Sequence, residues 1–131
     1  MLRSWSDQAR LTCLISTTPD QPRAQRVVAR ASTLILGLCK SDWDLIAAGL
    51  QDRLHQPPRA PLYPRSAALL EKAPKLGALG ATLSGAGPSV LVWCHFEHTG
   101  TVIELVEREV RGWARAQRVT FETQGAYVRG L

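Results

Sequence analysis

Two segments and three scattered arginines carry enough chemical character to start from. Ser84-Gly85-Ala86-Gly87-Pro88-Ser89 strings together small residues, so backbone N–H groups can approach a bound anion with no bulky side chain in the way. A tight turn between two strands would use the same composition. Both readings stand on sequence form, because the segment has neither the Lys-Ser/Thr of a Walker A loop nor the glycine spacing of a dinucleotide fingerprint. Arg59 stands among Pro57, Pro58, Pro61 and Pro64. A guanidinium on so stiff a backbone can grip a carboxylate or phosphate through paired hydrogen bonds at low entropic cost, although most arginines are simply solvated. Arg23, Arg26 and Arg30 share a helical face, which is either an anion-binding face or a solvated one.

The remaining candidates offer less. His55 follows a helical stretch and reads as a cation at its C-terminal end, stabilised by the helix dipole. His95 and His98 flank Phe96-Glu97 in a loop, a pair without the further ligands a metal needs. Ser84 and Ser89 lack the flanks of a nucleophile elbow, so neither a catalytic triad nor a metal site is expected. Cys13, Cys39 and Cys94 are odd in number, widely spaced and set among apolar neighbours; they read as small buried hydrophobes in a reducing compartment.

Hydrophobic periodicity gives the elements that must position these groups. Leu11 to Ser16 is β-prone and stops at Thr17-Thr18-Pro19-Asp20. From Pro22, apolar Ala24, Val27, Val28, Ala31, Leu34, Ile35 and Leu38 recur at helical spacing. Ser41 and Asp44 resemble a capping box for a second helix running to about Leu54. His55 to Pro64 reads as a stiff extended segment, since four prolines within it remove donors and fix φ repeatedly. A helix is expected from Arg65 to Ala73, then strands over Ala81 to Ser84 and Ser89 to Cys94. Thr101 to Gln117 reads as another helix, with Thr101 and Glu104 spaced as its capping box, and Val119 to Glu122 with Ala126 to Arg129 as a closing hairpin. This order predicts an α+β domain, an antiparallel sheet with helices packed on one face.

Composition narrows the partners. The chain has 131 residues, the size of one domain, and 45% apolar with 21% charged residues places it among soluble globular proteins rather than disordered or disulfide-stapled ones. Its net charge of +5 suits an anionic ligand, but the positive residues are spread along the chain with no basic run interleaved with aromatics, so no nucleic acid is expected. No apolar run is long enough to span a bilayer and the N-terminus has no secretory h-region, which predicts no membrane association and a cytoplasmic location.

Asp52-Arg53-Leu54-His55-Gln56-Pro57-Pro58-Arg59-Ala60-Pro61-Leu62-Tyr63-Pro64 and Gly77-Ala78-Leu79-Gly80-Ala81-Thr82-Leu83-Ser84-Gly85-Ala86-Gly87-Pro88-Ser89-Val90-Leu91, in this order and spacing, closely resemble homoserine kinases of the GHMP superfamily. Arg30-Ala31-Ser32-Thr33-Leu34 looks like the helix that precedes the first of these motifs. The resemblance runs from about Arg23 to Val128, the family's C-terminal half. It implies a ferredoxin-like C-terminal domain, ATP and Mg2+ as co-substrates, and phosphoryl transfer to the side-chain hydroxyl of L-homoserine in threonine biosynthesis. By the same resemblance Arg59 would bind the amino-acid carboxylate, and Ser84, Gly85, Ala86, Gly87 and Ser89 would form the loop closing beside the nucleotide phosphates. Nothing in Met1 to Asp20 matches the family's upstream nucleotide-binding motifs. The whole chain is therefore expected to be one domain without the N-terminal ATP-binding domain, inactive without that half or a sister chain, and a possible homo-oligomer. The rival is a non-catalytic ferredoxin-like module that binds a small molecule or mediates association. Exposed apolar surface separates the two: a half-enzyme keeps a sticky docking face and a stand-alone module does not.

Overall fold

The structure, a computed structural model, describes residues 21–121 and residue 124. The expected strand at Leu11 to Ser16, Cys13, Glu122, the hairpin strand at Ala126 to Arg129 and the side chain of Arg23 lie outside the described residues.

Helix α1 (Gln21–Lys40) and helix α2 (Trp43–Gly49) form an antiparallel pair. Two glycines let them touch. A Cβ on Gly37 would lie 2.7 Å from the backbone nitrogen of Ile46, and one on Gly49 would lie 2.6 Å from the backbone of Leu34. Between the helices, Ser41 takes a left-handed φ of 53°, with Asp42 N–H donating to Gly37 O and Ser41 N–H to Leu38 O, the paired bonds of a Schellman ending. Asp42, not Ser41, caps α2: its Oδ1 accepts the Leu45 N–H at 3.0 Å. The capping box expected at Ser41 and Asp44 fails because Ser41 is spent on ending α1. Helix α2 also stops short of Leu54, since the Asp52 carboxylate takes up the Leu54 and His55 N–H groups that a longer helix would need.

The proline segment is not extended. Gln56–Arg59 is a single helical turn, α3, and Ala60–Leu62 is a 3-10 turn. In each, the prolines occupy first-turn positions where an N–H would have no intrahelical partner anyway, and their fixed φ already suits a helix. Pro64 then opens helix α4 (Pro64–Lys72), which passes into a 3-10 turn at Ala73–Leu76.

Strands β1 (Gly80–Leu83) and β2 (Val90–Trp93) pair antiparallel, Ala81 opposite Val92 and Leu83 opposite Val90. Against Ala81, Val90 and Val92 lies the main core, built from Leu69 and Ala73 on the α4 side and Val102, Val106 and Val110 on helix α5 (Thr99–Glu109) and just beyond it. On the other face Trp93 Nε1 donates to Thr82 Oγ1. The result is the expected α+β arrangement, helices with an antiparallel strand pair. Helix α5 begins before the capping box expected at Thr101 and Glu104, at Thr99, whose Oγ1 donates to His95 O. It ends at Glu109 rather than Gln117, because Gly112 turns left-handed at φ 84° and breaks the ladder. Residues 119–121 form no strand.

Cysteine placement also differs from expectation. Cys94 is half-buried against the core, but Cys39 is exposed on α1, where the apolar stripe around it has no cover among the described residues. Among the described residues, no helix is long and apolar enough to cross a membrane.

Candidate functional site

Arg59 ends the α3 turn, half-buried. Its Nη1–H donates to the His55 carbonyl at 3.1 Å, while its Nε is buried with no hydrogen-bond partner among the described residues. A buried donor left unpaired is costly, so such a group marks a place where an acceptor is missing. His55 is not at the C-terminal end of a long helix, because α2 stops at Gly49; it caps α3 instead, with its Nδ1 3.4 Å from Asp52 Oδ2.

The loop from Ser84 to Ser89 connects β1 to β2. Ser84 N–H donates to Ser89 O at 2.8 Å and Gly87 N–H to Ser84 O at 3.1 Å. Gly85 and Gly87 take positive φ of 57° and 88°, a region where L side chains are strained. At Gly87 the absence of a side chain matters twice, since a Cβ would lie 2.8 Å from the Tyr63 ring. On the other side of the loop, buried Ser66 Oγ donates to Pro88 O at 2.8 Å. The loop is thus pinned to Tyr63 and to the first turn of α4, while Gly85 faces open space. Both the interstrand turn and the anion-loop reading survive this geometry.

A groove of about 760 Å³ runs between α1, the segment from Gly49 to Gln56 and the Thr82–Trp93 side of the sheet. Arg26, Arg30, Arg53 and His55 line it. Arg30 Nη1 also donates to Ala48 O, tying α1 to α2. Arg59 and the Ser84–Ser89 loop do not line the groove; they border it, Arg59 three residues beyond lining Gln56 and the loop directly after lining Leu83. Arg53 and Trp93 were not legible as site residues, because a strand tryptophan and a lone arginine give no signal until the fold brings them to one wall. The expected histidine pair forms an aromatic cluster, His95 ring 4.3 Å from Trp43 and 5.6 Å from His98, centroid to centroid. Among the described residues no three His, Cys, Asp or Glu side chains converge, so they do not fit a magnesium site of their own.

The family described as GHMP kinases C terminal matches residues 34–111. The chain belongs to that family. It is 35% identical over 106 residues to a homoserine kinase of Pyrobaculum islandicum, covering 79% of this chain and 36% of that protein. To a homoserine kinase of a Synechococcus species it is 38% identical over 110 residues, 84% of this chain and 32% of the relative. The chain therefore spans about a third of the length of these curated relatives. A crystal structure of homoserine kinase from Cytophaga hutchinsonii superposes with a TM-score of 0.69 at 24% identity, over 77% of this chain and 32% of that one, a likeness of fold.

Proposed function

We propose that the chain is the C-terminal domain of an ATP-dependent homoserine kinase that works in threonine biosynthesis in the cytoplasm, and that turnover needs an N-terminal half carrying the ATP site. The observation that carries this reading is the buried, unpartnered Nε of Arg59 on a proline-stiffened turn beside a basic groove. A substrate carboxylate would satisfy it. Nε and Nη2 share one edge of a guanidinium, so that edge can donate two parallel hydrogen bonds to a carboxylate and fix the amino acid's orientation. The Ser84–Ser89 loop, pinned at its base by Ser66 and Tyr63, would present backbone donors toward the nucleotide phosphates. ATP with its magnesium supplies the phosphoryl group. Phosphoryl transfer depends mainly on positioning and charge stabilisation, so a carboxylate clamp and a donor loop are contributions that one domain can make to a two-domain site.

Surface chemistry favours the half-enzyme over a stand-alone module. Val28, Ala31, Ile35 and Leu38 recur along α1 at alternating spacings of three and four residues, and all four are exposed. Val28 is 66% and Ile35 59% exposed. A helix with such an uncovered stripe expects a partner.

The test is ADP release from Mg-ATP with L-homoserine, using the chain alone and mixed with a homoserine-kinase N-terminal half. Turnover is expected only in the mixture. Arg59→Ala should raise the KM for homoserine by about tenfold to a hundredfold, the scale of a lost buried charge contact, with a smaller change in kcat. Activity of the chain alone would overturn the split-site reading. An unchanged KM in Arg59→Ala would overturn the carboxylate clamp.

A further inference from the structure

We propose that Asp52 is the positioning residue for the Arg59 guanidinium, acting through His55. The inference rests on the reading of Arg59 as a carboxylate clamp and names what holds that clamp in place.

Helix α3 is one turn, four residues long, and a single turn does not persist in water by itself. Pro57 and Pro58 contribute fixed φ but no N–H donors, and His55 at the cap makes no side-chain capping bond. The direction in which the turn sets out must therefore be fixed by the residues before it. Asp52 supplies that constraint. Its Oδ1 accepts the backbone N–H groups of Leu54 at 2.8 Å and His55 at 3.0 Å, and its Oδ2 faces the His55 Nδ1 at 3.4 Å. His55 is thus held through its backbone N–H, with the same carboxylate beside its ring. Its carbonyl, the one remaining main-chain group, accepts the Arg59 Nη1–H at 3.1 Å. One carboxylate orients one residue, whose carbonyl occupies one arm of the guanidinium and leaves the buried Nε free for a ligand. Without Asp52, the two N–H groups must find other acceptors, the carbonyl of His55 loses its fixed orientation, and the guanidinium samples geometries that no longer match a planar carboxylate.

The experiment follows the Arg59 Nε–H NMR resonance in the full chain while L-homoserine is added, with L-homoserine amide as the control that lacks a carboxylate. In the unsubstituted chain the resonance should move with homoserine and not with the amide. Asp52→Ala should weaken that response about tenfold, and Asp52→Asn, whose Oδ1 can accept the same two N–H groups, should restore it to within about threefold. The backbone amide spectrum of each variant reports whether the fold is kept. An Asp52→Ala response equal to that of the unsubstituted chain, in a folded protein, overturns the assignment. So does an Asp52→Asn response as weak as that of Asp52→Ala. An Arg59 signal that ignores homoserine in the unsubstituted chain overturns the clamp itself, and this inference with it.

Discussion

The α1–α2 pair and the α4–sheet–α5 unit dispose of their apolar surface in opposite ways. In the second, Leu69, Ala73, Val102, Val106 and Val110 are each at most 6% exposed and close on one another around the strands. In the first, the buried apolar side chains among the described residues are Ile46 within α2 and Leu50 after it, while Val28, Ile35, Leu36 and Leu38 of α1 and Trp43 of α2 stay open to solvent. The glycines show that this is not poor packing. Gly37 and Gly49 bring the two helices into backbone contact on one side, so the exposed stripe is the other side of a tightly made pair. One unit holds its own core, and the other leaves its apolar stripe exposed.

Substitutions can break or sharpen that contrast. Leu69→Ala should cost about 2–5 kcal/mol in urea unfolding, because a buried leucine leaves a cavity in the closed core. A loss below about 1 kcal/mol would mean that the core is looser than its burial implies. Gly49→Ala should cost roughly 1–3 kcal/mol, since its Cβ would collide with the Leu34 backbone and force α1 away from α2. Its indole N–H NMR shift should be largest at Trp43 of α2 and smallest at Trp113, which packs against the closed core. Smallest is Ile35→Ser, expected to shift stability by no more than about 0.5 kcal/mol while abolishing capture of the N-terminal half in gel filtration. A large loss of stability there would show that Ile35 is covered within the chain and that the stripe is no docking face.

Much of this architecture was legible from periodicity. The apolar repeat of α1, the helix expected from Arg65 to Ala73 and the two strands with their Gly-Pro loop each follow from local pattern, and the boundaries differ by a residue or so. The proline segment was misread because proline was weighed as an interior residue. At the start of a one-turn helix its missing donor costs nothing, and sequence does not reveal where such short turns begin. The end of α5 was misread for the converse reason: Val110 and Trp113 keep the helical spacing past Glu109, and only the backbone conformation shows that the ladder has stopped. Arg59 as a candidate came mainly from family resemblance. What sequence could not supply was its tertiary context, the Asp52 and His55 contacts behind it and the Trp93 wall of the groove beside it, because those depend on which strands and turns come to face one another.

The contact between Tyr63 and Gly87 constrains how this domain can vary. The tyrosine ring occupies the space that any side chain at position 87 would need, and the positive φ there penalises a substitution even where space exists. A smaller residue at position 63 removes the first obstacle and leaves the second. Change at the loop therefore depends on order: a side chain introduced first at position 87 meets both penalties at once, whereas one introduced after position 63 has become smaller meets only the backbone penalty, so the two positions are epistatic.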